Sequence, residues 1–473
     1  MSNTQALIEA LTLGLLWVAF TLWCYRAPLL NGLANRQLRR QPLPQTLVAY
    51  ASEGGNARSL AQALTQALHQ QGTPARLFSL NELAPALPRL VQHAGNHPAR
   101  LLLVASTTGD GEAPLNARRF VRAAEQTAPQ GFAGLEFGVL ALGDSRYQAF
   151  CQFGLSLAGA LAQWGARPLF DTVCVDRMQR PAIHDWWQRL VSAQVLNQAP
   201  PAAAETSNSD SPAGVWTFIR RERLNPASDS QPLYLIQLKA PEHATWQAGD
   251  IVCVDLPDKT GMREYSIASA MSNTHELSLI VRARYQADGT PGAGSGLLCQ
   301  RLQSGESINV RVRSNPAFHH PHAHMPVILI GAGSGMAGLR AHWQQRALSQ
   351  RPGPLWLIYG ERHPQHDCIL ADELNTLQER EIITRCDRVF SRASDTELSP
   401  VHESEQCHIG YVQDVLRADS QELLRWITQG ASILVCGSLN GMGRSVDECL
   451  RQTLGHELID SLTDAGRYLR DVY

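Results

Sequence analysis

Four apolar runs, "TLVAYAS", "LLLVAST", "EFGVLALG" and "PLFDTVCV", punctuate the chain between Thr46 and Asp176. Helical stretches separate them, such as "NARSLAQALTQALHQ", in which Leu60, Leu64 and Leu68 recur at i, i+4 and i+8. That alternation predicts a doubly wound parallel sheet. Ligands of such a sheet sit beyond the carboxyl ends of its strands, so the chemistry is expected where the runs stop. The first stops at Ser52-Glu53-Gly54-Gly55-Asn56-Ala57, a short loop opening a helix, whose amides can wrap a phosphate. Others stop at "STTGDGEAP", from Ser106, and at "LGDSRYQAFC", from Leu142 to Cys151. Any one of these could be a plain turn. Three on the loops of one sheet form a specific pattern.

The rest of the chain divides around this unit. At 473 residues it has length for two to four domains, and a net charge of −2 excludes the broad basic surface of a nucleic-acid binder. Ten cysteines without a C-x-x-C pair argue against an iron–sulfur cluster, a zinc ribbon or a dithiol motif, and suit reduced thiols. Metal ligands are not expected: "HHPHAH", His319 to His324, reads as a solvated loop without carboxylate neighbours. From Ala6 to Tyr25 the sequence is apolar, with Glu9 as its one charge, and Arg26, Arg36, Arg39 and Arg40 follow it. This pattern predicts a single transmembrane helix with the body of the protein on the cytosolic side; a signal peptide, an interfacial helix or a buried helix are the alternatives. "NQAPPAAAETSNSDSPAG" has the composition of a flexible linker. A β-rich stretch follows it, and from Val327 the βα alternation resumes.

At this point the sequence resembles the diflavin reductases, and among them the flavoprotein component of bacterial sulfite reductase. The resemblance implies FMN in the first unit. Ser52, Glu53, Gly54, Gly55, Asn56 and Ala57 would hold its phosphate, and Ser106, Thr107, Thr108, Gly109, Asp110 and Gly111 one side of the ring. Leu142, Gly143, Asp144, Tyr147, Phe150 and Cys151 would hold the other side, with Tyr147 stacked on it. An aromatic found at the position of Thr108 in cytochrome reductases is missing, so that side is expected to be less covered. Asp110, Glu112, Asp144 and Asp176 put negative charge around the site, which disfavours an anionic reduced flavin.

In the second half, Arg263-Glu264-Tyr265-Ser266 and the helix-opening Gly292-Ala293-Gly294-Ser295 resemble the FAD barrel of the ferredoxin–NADP reductase superfamily, with Leu279, Ile280, Val281 and Tyr285 as further contacts by position. An Arg and helix N-terminal amides suit a pyrophosphate. Only "IVCVDLPDKTGM" lies between Asp250 and Arg263, where relatives insert a helical connecting domain. "GAGSGMAG" gives a nucleotide loop, including Gly333 and Ser334. Glu361 is placed to bind the ribose of NAD, whereas Ser391, Arg392, Tyr411, Val412 and Gln413 resemble a 2′-phosphate pocket and favour NADPH; the family's Lys is Ile409 here.

The implied fold is an α/β flavodoxin-like domain, an antiparallel β-barrel FAD domain and an α/β NADP-binding domain, with one N-terminal transmembrane helix. The expected boundaries are 1–45 for anchor and basic segment, 46–198 for the FMN domain, 199–213 for the linker, 214–324 for the barrel and 325–473 for the NADP domain. The resemblance implies electron flow from NADPH through FAD and FMN to an unidentified acceptor, by expectation a protein, at the inner membrane. Ser266, Cys436 and Asp471 would surround the hydride, and the terminal Tyr473 would lie over the FAD ring. The first domain holds 12 Arg against 10 Asp and Glu, so a P450-like acceptor is not favoured. An NAD(P)H oxidase or quinone reductase without a protein partner, and a non-catalytic membrane scaffold, are the alternatives.

Overall fold

The computed structural model describes residues 44–473 apart from 54, 88–98, 110, 127–130, 146, 201–213, 258–260, 273, 321, 395–396 and 398–404. Three six-stranded sheets follow one another along the chain. The first is parallel: β1 (Thr46–Ala51), β2 (Ala75–Ser79), β3 (Ala99–Ser106), β4 (Leu135–Gly143), β5 (Arg167–Pro168) and β6 (Val173–Asp176). Its order is β2-β1-β3-β4-β5, with β6 also paired to β4. Strand side chains alternate between faces. Leu47, Leu101 and Leu103 therefore meet α2 (Arg118–Gln126) and α3 (Gln152–Gln163) through Phe120, Phe153 and Leu157. Val48, Leu102 and Leu140 meet α1 (Asn56–Gln70) and α4 (Arg180–Ser192) through Leu60, Leu64, Trp186 and Trp187.

The second sheet is antiparallel: β7 (Gly214–Arg223), β8 (Leu233–Lys239), β9 (Ile251–Asp255), β10 (Met262–Ser266), β11 (Glu276–Arg282) and β12 (Ser307–Arg313). A bridge between Ile267 and Leu279 joins its two ends and closes the barrel around Trp216, Phe218, Val252, Leu279 and Val310. β9 and β10 form a hairpin with Asp255 opposite Met262. Six residues connect them, which leaves no place for an inserted domain.

The third sheet is parallel again, in the order β16-β15-β14-β13-β17-β18. Its strands are β13 (Val327–Ala332), β14 (Leu355–Glu361), β15 (Arg385–Phe390), β16 (Glu405–Ile409), β17 (Ser432–Gly437) and β18 (Tyr468–Val472). α5 (Met336–Ala347) and α6 (Ala371–Glu379) cover one face, and α7 (Val412–Ala418), α8 (Ser420–Thr428), α9 (Arg444–Leu454) and α10 (His456–Asp464) the other.

Two expectations are corrected here. The run Ala6–Tyr25 and the basic segment after it lie outside the described residues, as does most of the 199–213 linker. Among the described residues no helix is long and apolar enough to cross a membrane, so the assignment as a single-pass inner-membrane protein does not stand. Even α1, at 15 residues, buries only the face of Leu60, Leu64 and Leu68. The histidine stretch also differs from expectation: His319 Nε2 lies 2.6 Å from Oδ1 of buried Asp250. The contact forms because Gly249, at φ +100°, packs so tightly under Phe318 that a Cβ would sit 2.5 Å from its carbonyl oxygen.

One buried carboxylate ties three strands of the third sheet together. Asp387 on β15 accepts hydrogen bonds from Trp356 Nε1 of β14 (2.5 Å) and Arg385 Nε (2.7 Å), and lies 2.7 Å from His408 Nε2 of β16. Burial alone would raise its pKa, but the bonds from His408, Arg385 and Trp356 outweigh burial and hold it below the ordinary value. A lowered acid stabilises the fold above its unfolded pKa, and that contribution is lost as pH falls through the folded value. Asp387→Ala is expected to cost about 3 kcal/mol by removing the shared acceptor of Trp356, Arg385 and His408. Asp387→Asn is expected to flatten the acid limb below roughly pH 4 in thermal unfolding measured against pH.

Candidate flavin and nicotinamide site

The loop after β1 is stitched down before it can meet any ligand. Gly55, at φ 85°, caps α1, and its N–H donates to Ser52 Oγ (2.9 Å). Ser52 N–H donates to Asn116 Oδ1 (3.0 Å), and Glu53 Oε1 accepts from Leu115 N–H (3.1 Å), while Glu53 Oε2 is buried without a hydrogen bond. The amides of Asn56 and Ala57 in the first turn of α1 are left for an anion. A cavity of about 420 Å³ opens in front of them, lined by Ser52, Gly55, Asn56, Arg58 and, from the other domains, Arg313 and Arg470. Amide donors at a helix N-terminus beside arginines fit the phosphate end of a flavin mononucleotide. Gly54 and Asp110 lie outside the described residues.

The two other loops meet this one at the same sheet edge. Ser106 ends β3, and Thr107 N–H donates to Leu142 O (3.0 Å), while Thr108 and Glu112 pair across Gly109 and Gly111, both at positive φ. A Cβ at Gly143 would lie 2.7 Å from Cys151 N and 3.0 Å from Phe150, so the 143–151 loop closes on itself. Within it Tyr147 N–H donates to Asp144 O (3.1 Å), and the Tyr147 ring is 55% exposed, leaving a face open for stacking. Burial, then neighbouring Cys174, pushes the Cys151 thiol up to about 12, so it is a packing group. Asp176 is held at about 2 by the Ser145 amide and Arg177, so part of its negative charge is already balanced. The side next to Thr108 is covered from elsewhere: Leu439 of the third domain lies against Gly109, 3.0 Å from where a Cβ would be.

The barrel brings Arg263, Tyr265 and Gly294 into contact. A Cβ at Gly294 would lie 2.5 Å from Tyr265 Oη and 2.7 Å from Arg263 Cγ, so the helix that starts at Ala293 is pressed onto β10. That places Arg263 and the free amides after Gly292 together, the donor set a pyrophosphate requires. Ser295 is otherwise engaged, accepting from Arg284 N–H (3.1 Å), and Glu264 accepts from Arg313 (2.9 Å). Leu279 and Val281 point into the barrel core, and Ile280 packs with the third domain, so these three can offer a flavin little beyond backbone. Tyr285 is 43% exposed and accepts from Gln300 (2.9 Å) next to the 291–292 turn.

Residues far apart in sequence converge at the seam between barrel and third sheet. Cys436 on β17 and Asp471 on β18 are register partners. The Ser266 hydroxyl at the end of β10 donates to Asp471 Oδ2 at 2.5 Å, and Cys436 Sγ lies 3.7 Å from the same oxygen. Burial raises the Asp471 pKa above the usual carboxylate range, and burial followed by Asp471's charge raises the Cys436 thiol further. Tyr473 closes the chain beside them, with its hydroxyl 2.8 Å from Ser334 Oγ in the nucleotide loop. That loop folds over the end of β17: Gly333 is at φ +58°, and a Cβ at Gly335 would collide with the Cys436 carbonyl oxygen.

At the far edge, Ser391 and Arg392 follow β15, while Tyr411 and Gln413 stand just after its neighbour β16. Tyr411 is 61% exposed and Val412 is buried in the core. Glu361 is committed elsewhere: it accepts from Tyr359 Oη (2.9 Å) and pairs with Arg282 (3.4 Å). Sequence reasoning did not single out Arg282, Leu439 or Arg470. Arg282 carried a weak signal, a charge ending an apolar strand, and it reaches both Glu361 and the Gly333 loop.

Residues 48–186 match the flavodoxin family, and residues 329–448 match the oxidoreductase NAD-binding domain family. The fold and these sites define a flavin-dependent oxidoreductase with FMN and FAD as its flavins and a nicotinamide nucleotide as reductant. Among its relatives is the sulfite reductase [NADPH] flavoprotein alpha-component of Thiocapsa roseopersicina, 27% identical over 94% of this chain and 91% of that protein. The same component of Escherichia coli O1:K1 / APEC is 25% identical over 97% and 95%, in an alignment of 594 positions that exceeds this chain's 473 residues. The chain thus carries a flavodoxin domain and an oxidoreductase NAD-binding domain, and over most of its length it is similar to these sulfite reductase flavoprotein components.

Gly335→Ala is expected to displace the nucleotide loop, since neither the β17 backbone nor the tight turn can yield cheaply, at a cost of roughly 1–3 kcal/mol. Titration with NADP⁺ should show weakened binding, with FMN content unchanged.

Proposed function

We propose that this chain is an NADPH-dependent diflavin reductase whose final acceptor is a one-electron protein, such as a haem protein or a sulfite reductase-like partner. The observation that carries this reading is the Ser266–Asp471–Cys436 cluster, assembled from two domains at the seam of the candidate FAD and nicotinamide sites. When bound, FAD supplies two-electron chemistry with NADPH and FMN supplies one-electron chemistry with the acceptor.

The protein's part is to bind, orient and exclude water. Arg263, Tyr265 and the amides after Gly292 would hold FAD; the Ser52–Ala57 loop and Tyr147 would hold FMN. The Asp471 carboxylate fixes the Ser266 hydroxyl in one rotamer, and buried Cys436 fills the space behind it. Such placement sets the approach of the reacting atoms, where an error of about 1 Å costs on the order of a hundredfold in rate. Ser391, Arg392, Tyr411 and Gln413 would take the 2′-phosphate. The engagement of Glu361 by Arg282 and Tyr359 supports NADPH over NADH, because that carboxylate is not offered to a ribose. Tyr473 would act as a lid that the nicotinamide displaces, tethered in its resting position by Ser334.

Extraction should release FMN and FAD in equal amounts, and NADPH should bleach both; release of neither flavin would sink the reading. Asp471→Asn is expected to slow flavin reduction by NADPH about a hundredfold. In the parent enzyme that step should titrate above the usual carboxylate range, as the raised Asp471 pKa requires, and the variant should lose this limb in stopped-flow pH profiles. Tyr473→Ala is expected to raise activity with NADH relative to NADPH, and an unchanged ratio would leave Tyr473 as a packed terminus.

A further inference from the structure

The flavodoxin domain is docked onto the third domain through a row of arginines. Arg118, Arg119 and Arg122 share one face of α2. Arg118 pairs with Asp447 of α9 (2.5 Å), Arg119 with Asp464 of α10 (3.0 Å), and Arg122 with Asp460 of α10. Asp460 and Asp464 lie one turn apart, so two arginines one turn apart meet two carboxylates one turn apart. The pairs remain partly wet, with Arg119 and Arg122 about 40% exposed. Among the described residues, apolar contact is made by Leu115, which enters the third domain's core, and by Leu439 over Gly109. The two outer pairs are therefore open to screening by salt, whereas Arg118 and Asp447, 21% and 5% exposed, form an inner clasp.

The arginine face is rigidly coupled to the candidate FMN site. The turn that leads into α2 supplies Leu115 N–H to Glu53 and Asn116 Oδ1 to Ser52, so α2 and the phosphate loop move as one piece. Arg118 also reaches back to the Gly109 rim, pairing with Glu112 (3.5 Å), which bridges to Thr108, so a protein that replaces Leu439 there meets the start of the arginine row. The aspartate pair on α10 already displays the surface these arginines accept.

We propose that the Arg118, Arg119 and Arg122 face of α2 is the docking surface for the electron acceptor, and that the acceptor is a protein presenting an acidic patch. α10 is then an internal stand-in for that patch, which the acceptor displaces. This inference rests on the reading of the chain as a donor to a protein.

The test uses the full chain with cytochrome b5 as an acidic haem protein, cytochrome c as a basic one, and ferricyanide as a small acceptor. Asp464→Asn and Arg119→Gln break the same ion pair across the seam, but only the arginine variant alters the α2 face. Asp464→Asn is expected to maintain or raise the rate of cytochrome b5 reduction. Arg119→Gln combined with Arg122→Gln should lower kcat/KM for cytochrome b5 by about tenfold, flatten its salt dependence, and leave ferricyanide reduction unchanged. Equal effects of the aspartate and arginine variants on cytochrome b5 would overturn the proposal, because the arginines would then serve closure alone. A parent enzyme that prefers cytochrome c would overturn the acidic polarity. One that reduces ferricyanide but neither cytochrome would instead overturn the reading of a protein donor.

Discussion

The seams between the three domains meet at β18. β18 is an edge strand of the third sheet, and its period of two divides its residues between two other domains. On one side, Tyr468 Oη bonds Asp447 (3.0 Å) and buried Arg470 lies near it at 3.7 Å, beneath the docked flavodoxin domain. On the other, Asp471 holds Ser266 of the barrel and Tyr473 holds Ser334 of the nucleotide loop. The strand itself is fixed by pairing with β17, which places Asp471 opposite Cys436. A one-residue slip would exchange the two faces, burying Arg470 where Asp471 now sits.

Electrostatics then ranks the contacts. The Asp447 carboxyl would be raised by burial, but Arg118, Arg451 and Arg470 overcome this and keep it low, so it is a permanent charge at the centre of the domain seam. Asp471, by contrast, is raised, since its stabilisers are a hydroxyl, a thiol and a more distant Arg313. Two buried aspartates on neighbouring elements are thus shifted in opposite directions: one, lowered by its arginines, clasps domains, and the other, raised by burial, orients the Ser266 hydroxyl at the candidate site.

How much of this was legible depended on distance along the chain. The three candidate flavin loops were legible as loops at one sheet edge because each is a few consecutive residues at the end of an apolar run, and the sheet carries them together whatever the detailed packing. The Ser266, Cys436 and Asp471 set came from family resemblance; no local spacing links residues 266 and 471. The Leu439 cover on Gly109 and the His319–Asp250 bond left no trace in sequence, because both arise from tight approach of separately folded pieces.

The sequence by itself determined the order of the three units, the strands and helices within them, and the loops that can receive phosphate. Periodicity and turn chemistry act over a few residues, so they are fixed before any domain meets another. The tertiary structure alone decided that Glu361 is spent on Arg282 and Tyr359. It also decided that the arginines of α2 face Asp447, Asp460 and Asp464, over 300 residues away. A charge in sequence has no address: its partner is chosen only when packing brings two surfaces within a few ångströms, where Coulomb attraction is set against the cost of losing water.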